Sequence, residues 1–384
     1  MRIKHLQFII LISFFFNKVI GQRDVAIEII QDLCSEEMAG RGYVDQGHLK
    51  AARYINQKFT ELNMSSFQEG NYLQPFSINV NTFPKSTHVS LDNRNLRQGL
   101  DFLIDPNSGS AKGIFKLYYV DVNNLMMFLS ELSEAKKNPL NEKAVVLNSS
   151  GTKNIDTLKI FNELKYSLAQ LCPVIWVKKD KFIWSVGNEA LEYPVVEIKD
   201  TTLNDATLIT LDITNKYQEN ITTHNVIGYI EGKRKNKFIV LSAHYDHLGK
   251  MGDAVFPGAN DNASGTSMLL CLANYFSKNQ PKYSVVFMAF GAEEVGILGS
   301  KYYTENPLFP LNKIKFLFNM DIMGTGDEGI TVVNGTLHKK QFKKLTKINK
   351  KKEYLPKVKI RGRAANSDHF WFSQKGVPAF FIYT

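Results

Sequence analysis

The chain has 384 residues, of which 44% are hydrophobic and 22% are charged, proportions that exclude a chain too polar to build a core. Its length is long for one domain and suits two. The cysteine count of 3 is too low for a disulfide framework or a thiolate metal cluster, and the net charge of +10 is accompanied by no nucleic-acid-binding motif.

The first 21 residues are typical of a secretory signal peptide. Arg2 and Lys4 precede the apolar stretch 6–16, and Gly21 is a small residue near a suitable cleavage point. This stretch is shorter than the roughly 20 residues that span a bilayer, and no later segment is apolar for long enough to cross one. We therefore expect a secreted or periplasmic protein, with an uncleaved amino-terminal anchor as the alternative.

Two segments of different character follow. Residues 25–33 and 49–62 have apolar positions at helical spacing, and we assign 22–84 to the first part of the main domain. Residues 85–215 contain short runs such as GIFKLYYV, CPVIWVKK and ATLITLDI, which favour strands divided by polar, Gly or Pro turns. We interpret 85–215 as a β-rich inserted domain.

Strands and helices alternate from residue 216 to residue 384. NVIGYIEG and KFIVLSA predict two strands joined as a hairpin by residues 232–236, and YSVVFMAF, IKFLFNM, TVVN and PAFFIY predict further strands. Helices are predicted over 262–278, from about residue 298, and over 366–375. This order predicts an α/β fold with a mostly parallel, mixed sheet flanked by helices.

The densest group of lysines lies within residues 339–352. It alternates with Phe342, Leu345 and Ile348 at helical spacing. The pattern favours a helix whose charged face is solvated, and a site for an anionic surface is the alternative.

Polar side chains follow three successive strands of the second half. Ligands of open parallel sheets bind beyond the carboxyl ends of the strands, so we expect these side chains to meet there. Carboxylates mixed with imidazole suit zinc. Taken singly, each residue has a simpler explanation, such as a hydrogen-bonded histidine, a solvated helix start or an N-cap; together they predict a metal site. The residues are His244, Asp246, Asp261, Glu293, Glu294 and Asp321.

The order of these residues also predicts how they divide their roles. Asp246, in a His-x-Asp pair, is placed to orient the ring of His244. Asp261 lies between two groups of ligands and can bridge two ions about 3.5–4 Å apart. Of the adjacent Glu293 and Glu294, one can bind metal while the other takes a proton from water.

The motifs resemble those of a known family, the co-catalytic zinc aminopeptidases of the aminopeptidase Y and bacterial leucyl aminopeptidase type. Its relatives include glutamate carboxypeptidases and glutaminyl cyclases. The segments SAHYDHLG, PGANDNASGT, FGAEEVGILGS, NMDIMG and NSDHFWFSQKGVP look like the family's motifs, in its order and at its spacing. The likeness covers about 30–70 and 224–384, whereas the insertion only faintly resembles a protease-associated domain.

The resemblance implies a zinc exopeptidase fold and a role for each residue. One zinc ion would be held by His244, Asp261 and Asp321, and a second by Asp261 and Glu294. Glu293 would be the general base and Asp246 the partner that orients the histidine ring. The family's second zinc takes a further histidine beyond the last strand, which this sequence, ending at Thr384, does not contain, so we expect that ion to be held weakly. His247, Asp368 and His369 are expected to line the site rather than to bind metal.

The function implied by this resemblance is removal of N-terminal residues from peptides, with peptides as the binding partners. One alternative is a single-zinc enzyme of the glutaminyl-cyclase type. Another is an inactive binding or receptor-like relative. No pattern in the sequence predicts an oligomeric state.

Overall fold

Residues 23–134, 140–203 and 205–384 are described by the computed structural model, and they form two mixed sheets of eight strands each, together with a small two-stranded ribbon. The predicted signal peptide, residues 1–21, lies outside the described residues. Within the described ranges, no helix is long and apolar enough to cross a bilayer.

The strands, in chain order, are β1 (Leu73–Thr82), β2 (His88–Leu91), β3 (Arg94–Asn95), β4 (Phe102–Ile104), β5 (Ala111–Asp121), β6 (Lys143–Asn148), β7 (Val174–Lys178), β8 (Val195–Lys199), β9 (Leu208–Ile213), β10 (Lys216–Ile230), β11 (Arg234–His244), β12 (Gly249–Met251), β13 (Ala254–Phe256), β14 (Tyr283–Phe290), β15 (Ile314–Met320), β16 (Ile330–Val333), β17 (Val358–Ile360) and β18 (Ala379–Tyr383).

The α-helices, in chain order, are α1 (23–33), α2 (Gly47–Glu61), α3 (Leu125–Glu134), α4 (Ile155–Leu168), α5 (Asp200–Leu203), α6 (Ser264–Lys278), α7 (Leu298–Glu305), α8 (Lys339–Lys352) and α9 (His369–Gln374).

The first sheet has the strand order β1-β10-β14-β11-β15-β18-β16-β17. Its centre is parallel, because β14 and β15 flank β11 in the same direction and β18 runs parallel to β15. The α/β fold with a mostly parallel, mixed sheet, predicted from the alternation of apolar strands and helices, is confirmed. Helices cover both faces: Phe59 of α2 and Leu269 of α6 are buried in one core, and Tyr303 of α7 and Phe372 of α9 in another.

The predicted hairpin between β10 and β11 is wrong. The chain does reverse direction between these strands, but β14 lies between them and pairs with both. The turn residues encode only the reversal. The neighbours of β11 are decided by burial. Its apolar residues Val240 and Leu241 require strands that pair with both edges of β11 and helices that cover both faces of the sheet.

The second sheet has the order β3-β2-β9-β5-β6-β7-β8-β4 and lies between residues 88 and 213 of the chain. The strands predicted for this stretch are present, and β5, β6, β7 and β8 are parallel to one another. Helices α3 and α4 were not predicted from the sequence. Phe161 and Leu168 of α4 are buried against this sheet, and the side chain of Asn154 caps the helix by accepting from the N–H groups of Asp156 and Thr157.

Candidate metal centre

The candidate ligands meet at the carboxyl ends of the three central strands. His244 is the last residue of β11, Asp321 directly follows β15, and Glu293 and Glu294 follow β14 after a two-residue turn. Asp261 comes from the loop between β13 and α6. Because β11, β14 and β15 are parallel neighbours, the sheet alone brings residues from distant parts of the chain to one edge.

The imidazole of His244 lies at the centre of the acidic side chains. Its Nε2 atom is 3.2 Å from Oδ1 of Asp261, 3.3 Å from Oδ1 of Asp321 and 4.0 Å from Oε2 of Glu293. Two groups of possible ligand atoms result, each within 4.8 Å, and both contain His244. The first adds Glu293 and Asp321, and the second adds Asp261 and Glu294.

The carboxylates give this site a strongly negative potential. Burial by itself would lower the pKa of His244, but Asp321 and Glu293 outweigh it and hold that pKa well above its usual value. Burial raises the pKa of Glu293 well above that of a free glutamate, with Asp368 and Asp321 adding to the shift and His244 opposing it. Repulsion between like charges at such distances would be relieved by bound cations.

Two donor separations in the cluster are compatible with a tetrahedral zinc ion. Ligand bonds of about 2.0–2.2 Å place the donor atoms of a tetrahedral site about 3.4 Å apart. The separations from Nε2 of His244 to the Asp261 and Asp321 oxygens, 3.2 and 3.3 Å, match this value. One nitrogen and several carboxylate oxygens are also the donor types that zinc accepts.

Asp246 holds the two glutamates through its carboxylate and the ring of His244 through its backbone carbonyl. It is fully buried, and it accepts the backbone N–H of Glu293 at 3.1 Å and that of Glu294 at 3.2 Å. Nδ1 of His244 lies 3.1 Å from the backbone carbonyl oxygen of Asp246 and 3.8 Å from its carboxylate. Burial raises the pKa of Asp246 to about 6. The sequence predicted contact with the ring but not the role toward the glutamate backbone.

Asn262 fixes the loop that presents Asp261. Its side-chain oxygen accepts the N–H of Gly265 at 2.9 Å and of Ile322 at 3.2 Å, and its amide donates to the carbonyl of Met320 at 3.1 Å. Asn262, rather than Asp261, therefore bonds to the first turn of α6. The carboxylate of Asp261, 45% exposed, is left to face the site.

A buried chain of hydrogen bonds supports Asp321 from behind. Ser367 donates its hydroxyl to Oδ2 of Asp321 at 2.7 Å and accepts from the amide of Asn319 at 2.7 Å, while Ser242 donates to Asn319 at 2.8 Å. All three supporting side chains have 0% exposure. Sequence reasoning missed them, because polar residues within apolar strands gave no sign of which acid they would contact.

Arg41 is another residue that the sequence did not identify. Its side chain is fully buried, and its guanidinium donates to backbone carbonyl oxygens of Tyr245 (2.8 Å), Leu33 (2.8 Å), Pro257 (2.6 Å) and Gly258 (2.7 Å). These carbonyls belong to the end of α1, to the segment after β11 and to the loop that leads to Asp261. One side chain therefore connects the amino-terminal helix to both ligand-bearing segments.

The three predicted site-lining residues lie around this centre. Nδ1 of His247 contacts Oε1 of Glu294 at 2.6 Å. Asp368 and His369 are fully buried at the start of α9. Burial raises the pKa of Asp368 to about 7 and lowers that of His369 to about 4. None of the three belongs to a group of candidate ligands within the described ranges.

Comparisons with known proteins agree with the sequence motifs. The chain is 32% identical over 196 residues to aminopeptidase YwaD of Bacillus subtilis, covering 49% of this chain and 38% of that protein. It is 36% identical over 117 residues to a probable zinc metalloprotease of Pyrenophora teres f. teres, covering 28% of this chain and 24% of that protein. The chain thus spans between 24% and 38% of the length of these curated relatives.

The fold is similar to that of a zinc aminopeptidase from Bacillus subtilis, with a TM-score of 0.68 over 94% of this chain and 84% of that one, at 21% identity. At that identity the likeness concerns the fold. Residues 225–384 match the sequence profile of peptidase family M28, and this segment contains every candidate ligand of the centre. Residues 225–384 are therefore similar to peptidase family M28, and the match covers less than half of the chain.

Proposed function

We propose that this protein is a zinc-dependent aminopeptidase that hydrolyses the N-terminal peptide bond of peptides. The observation that carries the proposal is the cluster of one imidazole and four carboxylates, in which two groups of possible ligand atoms, each within 4.8 Å, share His244. The match of residues 225–384 to peptidase family M28 and the similarity to relatives described as aminopeptidases support the same activity. Peptides are the proposed substrates.

Two zinc ions are proposed for the site. His244, Asp261 and Asp321 would hold the first, and Glu294 together with the bridging Asp261 would hold the second. Bound zinc supplies a Lewis acid for the scissile carbonyl and lowers the pKa of a water molecule. Because the single imidazole of His244 is assigned to the first ion, the second ion has two carboxylates, one of them shared, and we expect it to bind more weakly than the first.

Glu293 is the proposed general base. Its carboxylate lies beside the ligand cluster, 4.0 Å from Nε2 of His244, and burial gives it a raised pKa, which increases its affinity for a proton. Glu293 would take a proton from the attacking water and pass it to the leaving amine nitrogen. The hydrogen bonds from its backbone and that of Glu294 to Asp246 fix the turn that aims both carboxylates at the site.

Replacement of Glu293 tests this assignment. In Glu293→Gln, hydrolysis of a fluorogenic aminoacyl amide is expected to fall about 10²–10⁴-fold, because the amide cannot accept the proton. Zinc content measured by mass spectrometry is expected to approach two ions per wild-type chain. The matched control is Glu305→Gln, an exposed glutamate at the end of α7, which is expected to leave turnover unchanged. Undiminished turnover in Glu293→Gln would show that another group is the base.

The same protein also tests the two alternative functions. Release of ammonia from a peptide with N-terminal glutamine, with its peptide bonds intact, would replace the peptidase proposal with a cyclase. A folded protein that binds no zinc and hydrolyses no aminoacyl amide would favour the binding-protein alternative. Export to the periplasm or outside the cell, proposed from residues 1–21, is tested by sequencing the amino terminus of the mature protein.

A further inference from the structure

The positive charge of this protein is concentrated in one segment. Residues 339–363 contain ten lysines and two arginines but a single acidic residue, Glu353, which gives a formal charge of +11. The whole chain carries +10, so all other residues together sum to −1. The segment comprises α8, β17 and their flanking turns. An asymmetry of this size is a property of one surface rather than of the overall composition.

The lysines of α8 form a continuous stripe. With about 100° of rotation per residue, seven of its eight lysines fall within an arc of about 140°. Every lysine of the helix is exposed, and none forms an ion pair with a described residue. The opposite side of the helix rests on the sheet through Phe342 and Leu345. The seven lysines, which we call the α8 stripe, are Lys339, Lys340, Lys343, Lys344, Lys347, Lys350 and Lys351.

Most of the α8 stripe does not stabilise its own helix, and only Lys350 and Lys351, in the last turn, face the negative end of the helix dipole. Lys339 and Lys343 are four residues apart, as are Lys343 and Lys347, and like charges at this spacing repel one another. Lysines in the first turn also face the positive end of the helix dipole, where acidic residues would be favourable. The helix has no acidic residue in its first turn. Since local stability does not explain this arrangement, an external anion is the simplest source of compensation.

Two features favour a lipid surface over a nucleic acid. Lysines outnumber arginines ten to two in residues 339–363, whereas arginine is the residue preferred for recognition of nucleic acids. Exposed apolar side chains accompany the charge, with Ile348 of α8 56% exposed beside the stripe and Tyr354 71% exposed just after the helix. A basic helix with apolar side chains at its border is typical of binding at the headgroup level of a membrane.

We propose that α8 docks this protein on the surface of an anionic phospholipid bilayer. The lysines of the α8 stripe contact headgroup phosphates, and Ile348 enters the headgroup layer. The attachment is peripheral and reversible, and it is weakened by salt because it depends on charges at an exposed surface. This docking is independent of the metal centre, so the two proposals can fail separately.

Vesicle sedimentation of the full chain tests the proposal. Binding is expected to vesicles of phosphatidylcholine with about 30% phosphatidylglycerol and to be much weaker with phosphatidylcholine alone. Raising the salt from about 0.1 M to about 0.5 M is expected to release the protein from the anionic vesicles. In the triple variant Lys343→Glu, Lys347→Glu and Lys351→Glu, the affinity is expected to fall about a hundredfold or more. A triple Lys→Gln variant at the same positions is expected to lose less of its affinity for the anionic vesicles.

A matched variant controls for total charge. Lys153→Glu, Lys179→Glu and Lys181→Glu changes the same number of exposed lysines elsewhere in the chain and is expected to retain binding. The apolar stretch 6–16 is present in every variant, so any binding that it causes is common to all of them. The quantities compared are therefore the differences in affinity between the two vesicle types and between the variants. Equal binding to both vesicle types, equal loss in both Glu variants, or binding to DNA without binding to vesicles would overturn the proposal. Circular dichroism of each variant verifies that its helices are retained.

Discussion

The buried charge of Arg41 connects three segments that surround the metal centre. Its guanidinium donates to four carbonyl oxygens at 2.6–2.8 Å and has no exposure to solvent. Replacement by methionine in Arg41→Met preserves most of the side-chain volume but removes every donor. The carbonyls of Tyr245, Pro257 and Gly258 then remain buried without this partner, and the loop that presents Asp261 loses its attachment to α1.

The magnitude follows from these contacts. Hydrogen bonds that involve a charged group contribute about 1.5–3 kcal/mol each, and removal of one partner from a buried charged arrangement costs about 3–5 kcal/mol in all. Burial of the guanidinium opposes this contribution and lowers the pKa of Arg41, so we expect the lower end, a loss of about 3 kcal/mol. A domain with a free energy of unfolding of about 5–15 kcal/mol remains folded after such a loss.

Urea unfolding and zinc titration provide the two measurements. We expect a lower unfolding midpoint and, in the folded variant, zinc affinity reduced about 10–100-fold because the ligand loop is less fixed. Arg41→Lys is expected to recover little, since one ammonium cannot reach all four carbonyls. The control is Arg53→Met, which removes an exposed arginine of α2. A variant with reduced stability but unchanged zinc affinity would refute the inference that Arg41 positions the site.

Two further predictions concern single side chains. Ser367→Ala removes the hydroxyl that donates to Asp321 at 2.7 Å, and we expect the zinc dissociation constant, measured by competition with a chelator, to rise about 10–100-fold. Burial lowers the pKa of His48 to about 4, so between about pH 6.5 and pH 4 the unfolded chain binds a proton that the folded chain does not. Stability therefore rises with pH through this window, and acidification from about pH 7 to about pH 4.5 costs about 2–3 kcal/mol through this residue. In His48→Gln, the contribution of this residue to the loss of stability on acidification is expected to disappear. The free energy of unfolding is measured by urea unfolding with a chelator present.

Each of these predictions has its own control. Ser277→Ala removes an exposed hydroxyl of α6 and is expected to leave zinc affinity unchanged. His88→Gln replaces an exposed histidine and is expected to retain the full acid sensitivity of the wild type. An unchanged zinc affinity in Ser367→Ala would contradict the supporting role of the buried chain, and an unchanged pH slope in His48→Gln would contradict the assignment to His48.

Most elements of the main sheet could be predicted from the sequence. The predicted helix 262–278 corresponds to α6, the predicted 339–352 to α8, and the last strand to β18, with shifts of no more than two residues. These features are encoded locally in the sequence, by the spacing of apolar residues and by Gly and Pro at the ends of the elements. The position of β14 between β10 and β11 was not predictable in this way, because strand order depends on which surfaces are buried by the rest of the fold.

The candidate ligands themselves were also identifiable by sequence. His244, Glu293 and Asp321 each stand at or just beyond the end of an apolar run, and parallel neighbours place such positions together. The structure brings together the five acidic residues and the one histidine that were predicted for the centre. The division into two groups that share His244 is visible only in three dimensions, since it depends on which donor atoms lie within 4.8 Å of one another.

Residue types, the order of the elements and the edge of the sheet that carries the candidate metal centre can be inferred from the sequence. The contacts that hold this centre in place become visible only in the folded chain. Arg41 reaches a carbonyl 217 residues away at Gly258, and Ser367 reaches Asp321 across 46 residues. Most buried donors in a folded protein are paired with an acceptor, and which acceptor a donor meets depends on the packing of distant segments rather than on its sequence neighbours.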